Sequence, residues 1–234
     1  MKYLNEVWAM IPARSGSKGI KNKNIRMIGS KPLLAYCIIS SKKSKLISKI
    51  VFSSDSIKYF NLAKKYGKII FHKRPKKISK DSSTDIELFI DFVKKYHGVL
   101  PKYFAHLRPT TPFRDPKLLD KVIFSFINKS KKYSSLRSVS EISNLIFKSI
   151  FIKNNKLYSP IFNTFKLDII NNSRQSYGKC FFGNGYIDII KTENLFKGFM
   201  YGNKVKPFIL KNVPIDIDNL KDLKNAKNST FFNN

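Results

Sequence analysis

The sequence predicts an α/β fold built on a mostly parallel sheet. Strand and helix signals alternate from residue 7 to about 128, at the spacing that crossover helices require. No internal repeat interrupts the chain, and no linker is rich enough in Pro, Gly or Ser to separate domains. Its 234 residues suffice for one well-packed domain, here taken as 1–234, carrying an added subdomain.

The elements follow in order. Val7–Ile11 reads as a buried strand, and Pro12 ends its ladder. "KPLLAYCIISSKKSK" reads as a helix from near Pro32, with Leu33, Leu34, Cys37 and Ile38 on its apolar face. "KIVFSS" (Lys49 to Ser54) is a short buried strand. Ser54 or Asp55 then caps the helix "SIKYFNLAKKYG", which has lysines in its last turn and Gly67 just past its end. "KIIF" is a third strand, and Thr84 to Tyr96 an amphipathic helix. "KYFAHL" runs as a strand into "RPTTPFRDP", and Pro116 to Asn128 is helical. From about residue 134 the pattern turns to strands: "YSSLRSVSE", "LIFKSIFIKNNKLYSP" with a hairpin turn at "KNNK", and "GYIDIIK". The segment of about 134–190 is therefore expected to be a small β-rich insertion or dimer-forming flap. "VPIDIDN" and a helix from Leu220 to about Lys227 return to the core, and "STFFNN" reads as a frayed tail.

Composition narrows the class. No stretch approaches the roughly 20 apolar residues a membrane helix needs, so no membrane partner is expected. The opening "MKYLNEVWAM" lacks the apolar core of a signal peptide. Cys37 and Cys180 form no CxxC and no His/Cys cluster, which predicts two free thiols in a cytoplasmic protein. The net charge of +30 invites a nucleic-acid partner. Yet the lysines are scattered along the whole chain, and Asn, Ile and Phe are abundant beside them. That pattern favours a composition bias over a nucleic-acid arm, although the field would steer small polyanions inward.

Two stretches carry chemistry. "IPARSGSKGIKNKN" (11–24) follows the first strand directly, with Gly16 and Gly19 freeing the backbone and Arg14, Lys18, Lys21 and Lys23 crowding cations into one loop. Successive amides in such a bend form an anion-sized concavity, suited to a guest with several phosphates. It matches neither GxxxxGK[ST] nor GxGxxG. In "PIDIDN", residues two apart on a strand share a face, so Asp216 and Asp218 project together while Ile215 and Ile217 enter the core. Two parallel carboxylates make a partial shell for Mg²⁺, completed by water and phosphate oxygens; alternatively the DxD caps the following helix. Of the histidines, His106 reads as half-buried and structural, His72 and His97 as solvated surface.

Taken together, "IPARSGSKGIKNKNI", "VFSSDS", "HKRPKKISKDSS", "LRPTTPFRD", "SRQSYGKCFFGNG" and "PIDID" resemble, in order and across nearly the whole chain, the acylneuraminate cytidylyltransferase family of CMP-sialic acid synthetases and their relatives. The resemblance implies an α/β nucleotidyltransferase fold related to the GT-A sugar-nucleotide folds, and a homodimer. It implies transfer of CMP from CTP to the anomeric hydroxyl of a sialic-type or related 3-deoxy-2-keto sugar acid, with Mg²⁺ and release of pyrophosphate. Carried over, Arg14, Ser17, Lys18 and Gly19 would hold the triphosphate with Lys23 beside it, Asn24 would meet the ribose, and Arg74, Asp81 and Ser83 would border the cytosine. Arg108, Lys148, Arg174, Gln175 and Asn184 would line the sugar-acid pocket. Asp216 and Asp218 would bind the metal, and with Arg14 and Lys18 would form the catalytic set.

Departures cluster in the sugar half. Arg108 stands where many relatives have glutamine, Phe182 where some have arginine, "SYGK" where a Leu-Pro is frequent, and "NGYID" where "NGAIY" is usual. In the loop, Ser15 replaces a common glycine and Lys21 a common proline. A GT-A glycosyltransferase would usually place its DxD mid-chain, and a sugar-1-phosphate nucleotidyltransferase would carry GxGTR, which is missing here.

Overall fold

The computed structural model describes residues 7–17 and 19–229. Lys18 and residues 230–234 of the expected tail therefore lie outside the described residues. Strand β1 (Val7–Pro12) leads through the loop to a two-stranded ribbon, β2 (Met27–Ile28) and β3 (Lys31–Pro32), and then to α1 (Leu33–Lys43). There follow β4 (Ile47–Ser54), α2 (Ile57–Ala63), β5 (Ile70–Lys73), α3 (Asp85–Lys95), β6 (Tyr103–His106) and α4 (Pro116–Ile127). The second half holds β7 (Ser135–Ile142), a hairpin of β8 (Phe151–Lys153) and β9 (Lys156–Tyr158), β10 (Cys180–Lys191), α5 (Thr192–Phe196), β11 (Val205–Ile209) and α6 (Leu220–Lys227).

The main sheet has seven strands in the order β11-β7-β10-β6-β1-β4-β5. Four of its six ladders are parallel, and β10 runs antiparallel to both neighbours. The chain moves outward from β1 to β4 to β5 and then returns to β6 on the other side of β1, which makes a topological switch point at the carboxyl ends of β1 and β6. Central β1 is apolar on both faces, as a strand covered by helices must be. Val7, Ala9 and Ile11 pack toward α1 and α4, while Trp8 and Met10 meet Leu88, Phe89 and Phe92 of α3.

Caps explain where the helices begin. Thr84 and Glu87 close a capping box on α3, Asp115 accepts from the Lys117 amide at α4, and Asn219 pairs with Asp222 at α6. The α2 cap differs from expectation: Ser56 accepts from the Tyr59 amide, while Ser54 and Asp55 serve the neighbouring loop. Two further expectations change. The segment 134–190 contributes β7 and most of β10 to the main sheet, so only residues 143–179 stand outside it. Within that stretch Asn144–Lys148 is a 3-10 turn rather than strand, whereas Asn154 and Asn155 adopt positive φ to make the expected hairpin turn.

Candidate active site

A cleft of about 180 Å³ opens at the switch point, walled by Pro12, Arg14, Ser17, Lys23, Asn24, Arg74, Ser83, Asp85, Arg108, Pro109 and Thr110. Seven residues singled out in the sequence thus share one cavity, drawn from the carboxyl ends of β1, β5 and β6. Among the described residues, four of the wall are Arg or Lys and its one carboxylate is Asp85. Arg74 is buried, its Nε donating to the Ile78 carbonyl at 2.6 Å, and burial pulls its pKa down.

Long-range bonds hold the glycine loop. Asp55 accepts the Ser15 amide at 2.8 Å and the Ser15 hydroxyl at 2.7 Å, so the residue after β4 anchors the loop after β1. Arg14 reaches Asp81 at 2.5 Å, and the Asn24 amide donates to the Arg14 carbonyl at 2.9 Å. A Cβ on Gly19 would lie 2.9 Å from the Asp218 carbonyl, so the chain approaches closely there, whereas Gly16 has nothing within 4 Å.

That approach brings Asp218 to the loop, while Asp216 lies against Thr111. "PIDID" is extended loop rather than strand: the Ile217 amide donates to the Thr110 carbonyl at 2.9 Å, and the buried Ile217 side chain packs with Ile20, Ile28, Leu33 and Leu223. Ile215, expected in the core, is only partly buried against this cluster. Lys23 donates to the Ile217 carbonyl and to Asp218, both at 3.0 Å. Asp216 accepts from the Thr111 hydroxyl at 3.3 Å, and Gly185, at φ 70°, leaves no room for a side chain against that hydroxyl. Among the described residues no three His, Cys, Asp or Glu side chains form a metal cage. The donors that are present, two exposed aspartates beside a cationic loop, fit an ion that takes one or two protein carboxylates and completes its shell with substrate phosphates.

At the opposite wall Arg108 is already paired. Its Nη2 and Nε donate to Asp85 at 2.9 and 3.3 Å, and its Nη1 to Asp188 at 3.3 Å. Burial would lower the Arg108 pKa, but the two carboxylates outweigh it and raise the value. His106 is fully buried rather than half-buried, and burial and then Arg108 push its pKa down to about 4. Its ring nitrogens sit 3.8 Å from Asp85 and 3.9 Å from Asp188, without a hydrogen-bond partner. His72 is likewise buried, not solvated: it bridges Ser53 and Asp91 at 2.9 Å each, while His97 is exposed.

The remaining expected residues scatter. Asn184 is buried in β10 with its side chain bonded to Ser138, Ser140 and the Tyr186 amide. Lys148 sits partly buried at the end of the Asn144–Lys148 turn and Gln175 lies in the turn Arg174–Ser176, and neither of these two lines the cleft; the Arg174 side chain lies outside what is described. Sequence reasoning missed Arg114, a buried guanidinium that fans out to the carbonyls of Arg108, Thr111, Gly185 and Tyr186 and to the Cys37 sulfur. It fastens the β6 loop to the kink in β10. Its only local signal is an arginine amid the prolines and capping aspartate of "PFRDP".

The fold and cleft define a nucleotidyltransferase-type α/β protein, and residues 8–157 match the family model described as cytidylyltransferase, to which the chain belongs. It is similar to the N-acylneuraminate cytidylyltransferase of Escherichia coli O18:K1:H7 (strain RS218 / NMEC), with 32% identity over 94% of this chain and 51% of that protein. The chain thus spans about half that relative's length. Similarity to the CMP-N,N'-diacetyllegionaminic acid synthase of Legionella pneumophila is 30% over 91% of this chain and 90% of that one. Among solved structures, CMP:2-keto-3-deoxy-manno-octonic acid synthetase complexed with CTP superposes with a TM-score of 0.69, covering 95% of this chain and 97% of that one at 12% identity, a likeness of fold. No helix among the described residues is long and apolar enough to cross a membrane.

Proposed function

We propose that the protein transfers CMP from CTP to the anomeric hydroxyl of a nonulosonic or related 3-deoxy-2-keto sugar acid, releasing pyrophosphate. The observation that carries this reading is the cleft itself. At one switch point it gathers Arg14, Ser17, Lys23, Asn24 and Arg74, and Ile217 packs the aspartate loop against the same glycine bend.

Attack on the α-phosphate builds negative charge on its equatorial oxygens and on the departing pyrophosphate. Arg14 and Lys23, with Gly19 of the same bend, hold that charge from fixed positions, Ser17 adds a hydroxyl donor, and Lys18 adds a further cation to the same loop. Asn24 meets the ribose, while buried Arg74 with Ser83 and Asp81 borders the base. Asp216 and Asp218 hold Mg²⁺, which when bound neutralises phosphate charge beyond what the lysines supply. Lys148, Arg174 and Gln175 belong to the segment that meets the sugar acid, Asn184 supports its wall from within β10, and Arg108 faces it from β6.

Residues 143–179 expose Leu145, Ile150, Phe151, Ile152, Leu157 and Phe165, an apolar surface that suits a second copy of the chain in a homodimer. Two unpaired thiols and a nucleotide substrate suit the cytoplasm. The test is pyrophosphate release from CTP and Mg²⁺ with a panel of sialic, legionaminic, pseudaminic and octulosonic acids. Release with at least one acid supports the reading, and silence with all of them sinks it.

A further inference from the structure

We propose that Asp188 is a positioning residue that holds Arg108 as a fixed donor fork, and that this fork reads a neutral oxygen of the acceptor, a hydroxyl or amide carbonyl, rather than its carboxylate. The inference rests on the proposed sugar-acid reaction and specifies how one wall of the cleft reads the acceptor.

Asp188 is 2% exposed and does not reach the cleft. One carboxylate oxygen takes Arg108 Nη1 at 3.3 Å and the Tyr201 hydroxyl at 2.9 Å; the other lies 3.7 Å from Arg137 Nε. Burial and then Asp188 push the Tyr201 phenol up to about 12, so it stays a donor. Arg137 is fixed in turn, its guanidinium against Gly183 and 5.0 Å from the Tyr201 ring. Nothing in this arrangement serves the strand ladder, whose bonds are backbone. Its effect is to aim Arg108.

A guanidinium carries five N–H groups in a rigid fork. Three are taken, two by Asp85 and one by Asp188, which leaves one on each terminal nitrogen. Arg108's own charge is already met by the two carboxylates that bind it, Asp85 and Asp188, and buried His106 beneath them has no hydrogen-bond partner to hold a proton. An arriving carboxylate would meet Asp85 at this fork, whereas the cleft's other cations, Arg14, Lys23 and Arg74, offer it charge that Arg108 does not. A neutral oxygen, by contrast, needs only the two remaining donors. Arg108 and Asp188 are also two of the positions at which the sequence departs from the family pattern, and the structure puts them in contact. They act as one unit.

The experiment is steady-state pyrophosphate release by wild type, Arg108→Gln, Asp188→Asn and the double variant, with CTP and acceptor varied separately. Asp188→Asn is expected to raise the acceptor KM about tenfold or more while leaving the CTP KM within roughly twofold, and the double variant should be no worse than Arg108→Gln alone. Arg108→Lys, which keeps the charge but cannot span both carboxylates, should behave like Asp188→Asn and serves if that variant fails to fold. An acceptor analogue lacking the amide or hydroxyl oxygen should lose at least about tenfold in kcat/KM with wild type and little with Arg108→Gln. A carboxamide analogue of the acid should lose the same factor with both. Equal rises in both KM values, additive single-variant losses, or an Arg108→Gln variant that no longer distinguishes acid from carboxamide would each overturn the proposal. Wild-type silence with every acceptor would instead overturn the reaction itself, with the inference following it.

Discussion

The two ends of the cleft hold their cations in opposite ways. At the loop end, Arg14 and Lys23 each lean on one exposed aspartate, Asp81 and Asp218, whose side chains are 35% and 72% exposed. At the β6 end, Arg108 is clamped by Asp85 and the nearly inaccessible Asp188. Exposed pairs contribute little to stability and are readily exchanged for another anion, whereas a buried pair is costly to break. The loop end is therefore able to exchange its carboxylates for another anion, while the β6 end keeps its charge in place. That contrast predicts that substitutions at the loop end cost activity with little stability, whereas those at the β6 end cost stability as well as acceptor recognition.

The largest effect is expected at the loop end. Arg14→Ala should lower kcat by roughly two to three powers of ten, by analogy with removal of one preorganised donor from a charge-stabilising site, and should barely move the melting temperature. Asp218→Asn should do the same and weaken Mg²⁺ activation, read as a rightward shift of the metal titration. A fall in stability matching the fall in activity would erase the contrast.

Next comes Arg114. Removing its guanidinium takes a donor from the carbonyls of Thr111, Gly185 and Tyr186 in a buried setting, while the Arg108 carbonyl keeps the Thr111 amide, so Arg114→Met should cost at least about 3 kcal/mol. At this chain length that corresponds to roughly 6–12 °C in Tm. Arg114→Lys, with one ammonium in place of a planar fan, should recover only part of the loss. Thermal unfolding with and without CTP separates this from a binding defect.

The β6 end should also set the acid limb of stability. His106 is held neutral, its pKa about 4 against an unfolded value near 6.5. Below pH 6.5 the unfolded chain gains a proton that the native state refuses, so stability is full above that pH. It should fall by roughly 3 kcal/mol as pH drops toward 4. Burial lowers the His72 pKa in the same direction. Urea unfolding of wild type and His106→Gln between pH 7 and 4.5 tests this, the variant being expected to show a shallower acid limb.

What was legible in the sequence was local. The strand–helix alternation, the helix over Thr84 to Tyr96 and the Asn154–Asn155 turn each need only neighbours within about four residues. The cationic glycine loop at the cleft was legible for the same reason, since its cations and glycines are contiguous. What escaped depended on partners far along the chain. His72 looked solvated because Ser53 and Asp91, each nineteen residues away, were not visible beside it. Asp55 looked like a helix cap because Ser15, forty residues earlier, claims both of its oxygens. Arg108 looked available, and the carboxylates that hold it lie 23 and 80 positions away. "PIDID" was read as strand from its alternation, but a single backbone bond to Thr110 and one buried isoleucine fix it as loop. Arg114 sends its bonds to carbonyls, which have no sequence identity at all.

The smallest expected effect sharpens the contrast most. Ser15 binds Asp55 twice, through its hydroxyl and through its backbone amide. Ser15→Ala removes the first bond and keeps the second, so its cost should be near the usual net value of about 1 kcal/mol, with the CTP KM almost unchanged. Asp55→Ala removes both; the Ser54 hydroxyl on the Ala13 carbonyl, the Ala13 amide on the Ser53 carbonyl and the bonds of Arg14 to Asp81 and Asn24 remain. Its stability cost should stay modest because Asp55 is only half-buried, but the CTP KM should rise several-fold as the bend loses its fixed shape. Measured side by side, the pair asks whether the loop needs the aspartate as an anchor for backbone or only as a neighbour for a hydroxyl. Identical KM values in the two variants would mean that the bend keeps its shape unaided, and that Asp55 contributes nothing to nucleotide binding.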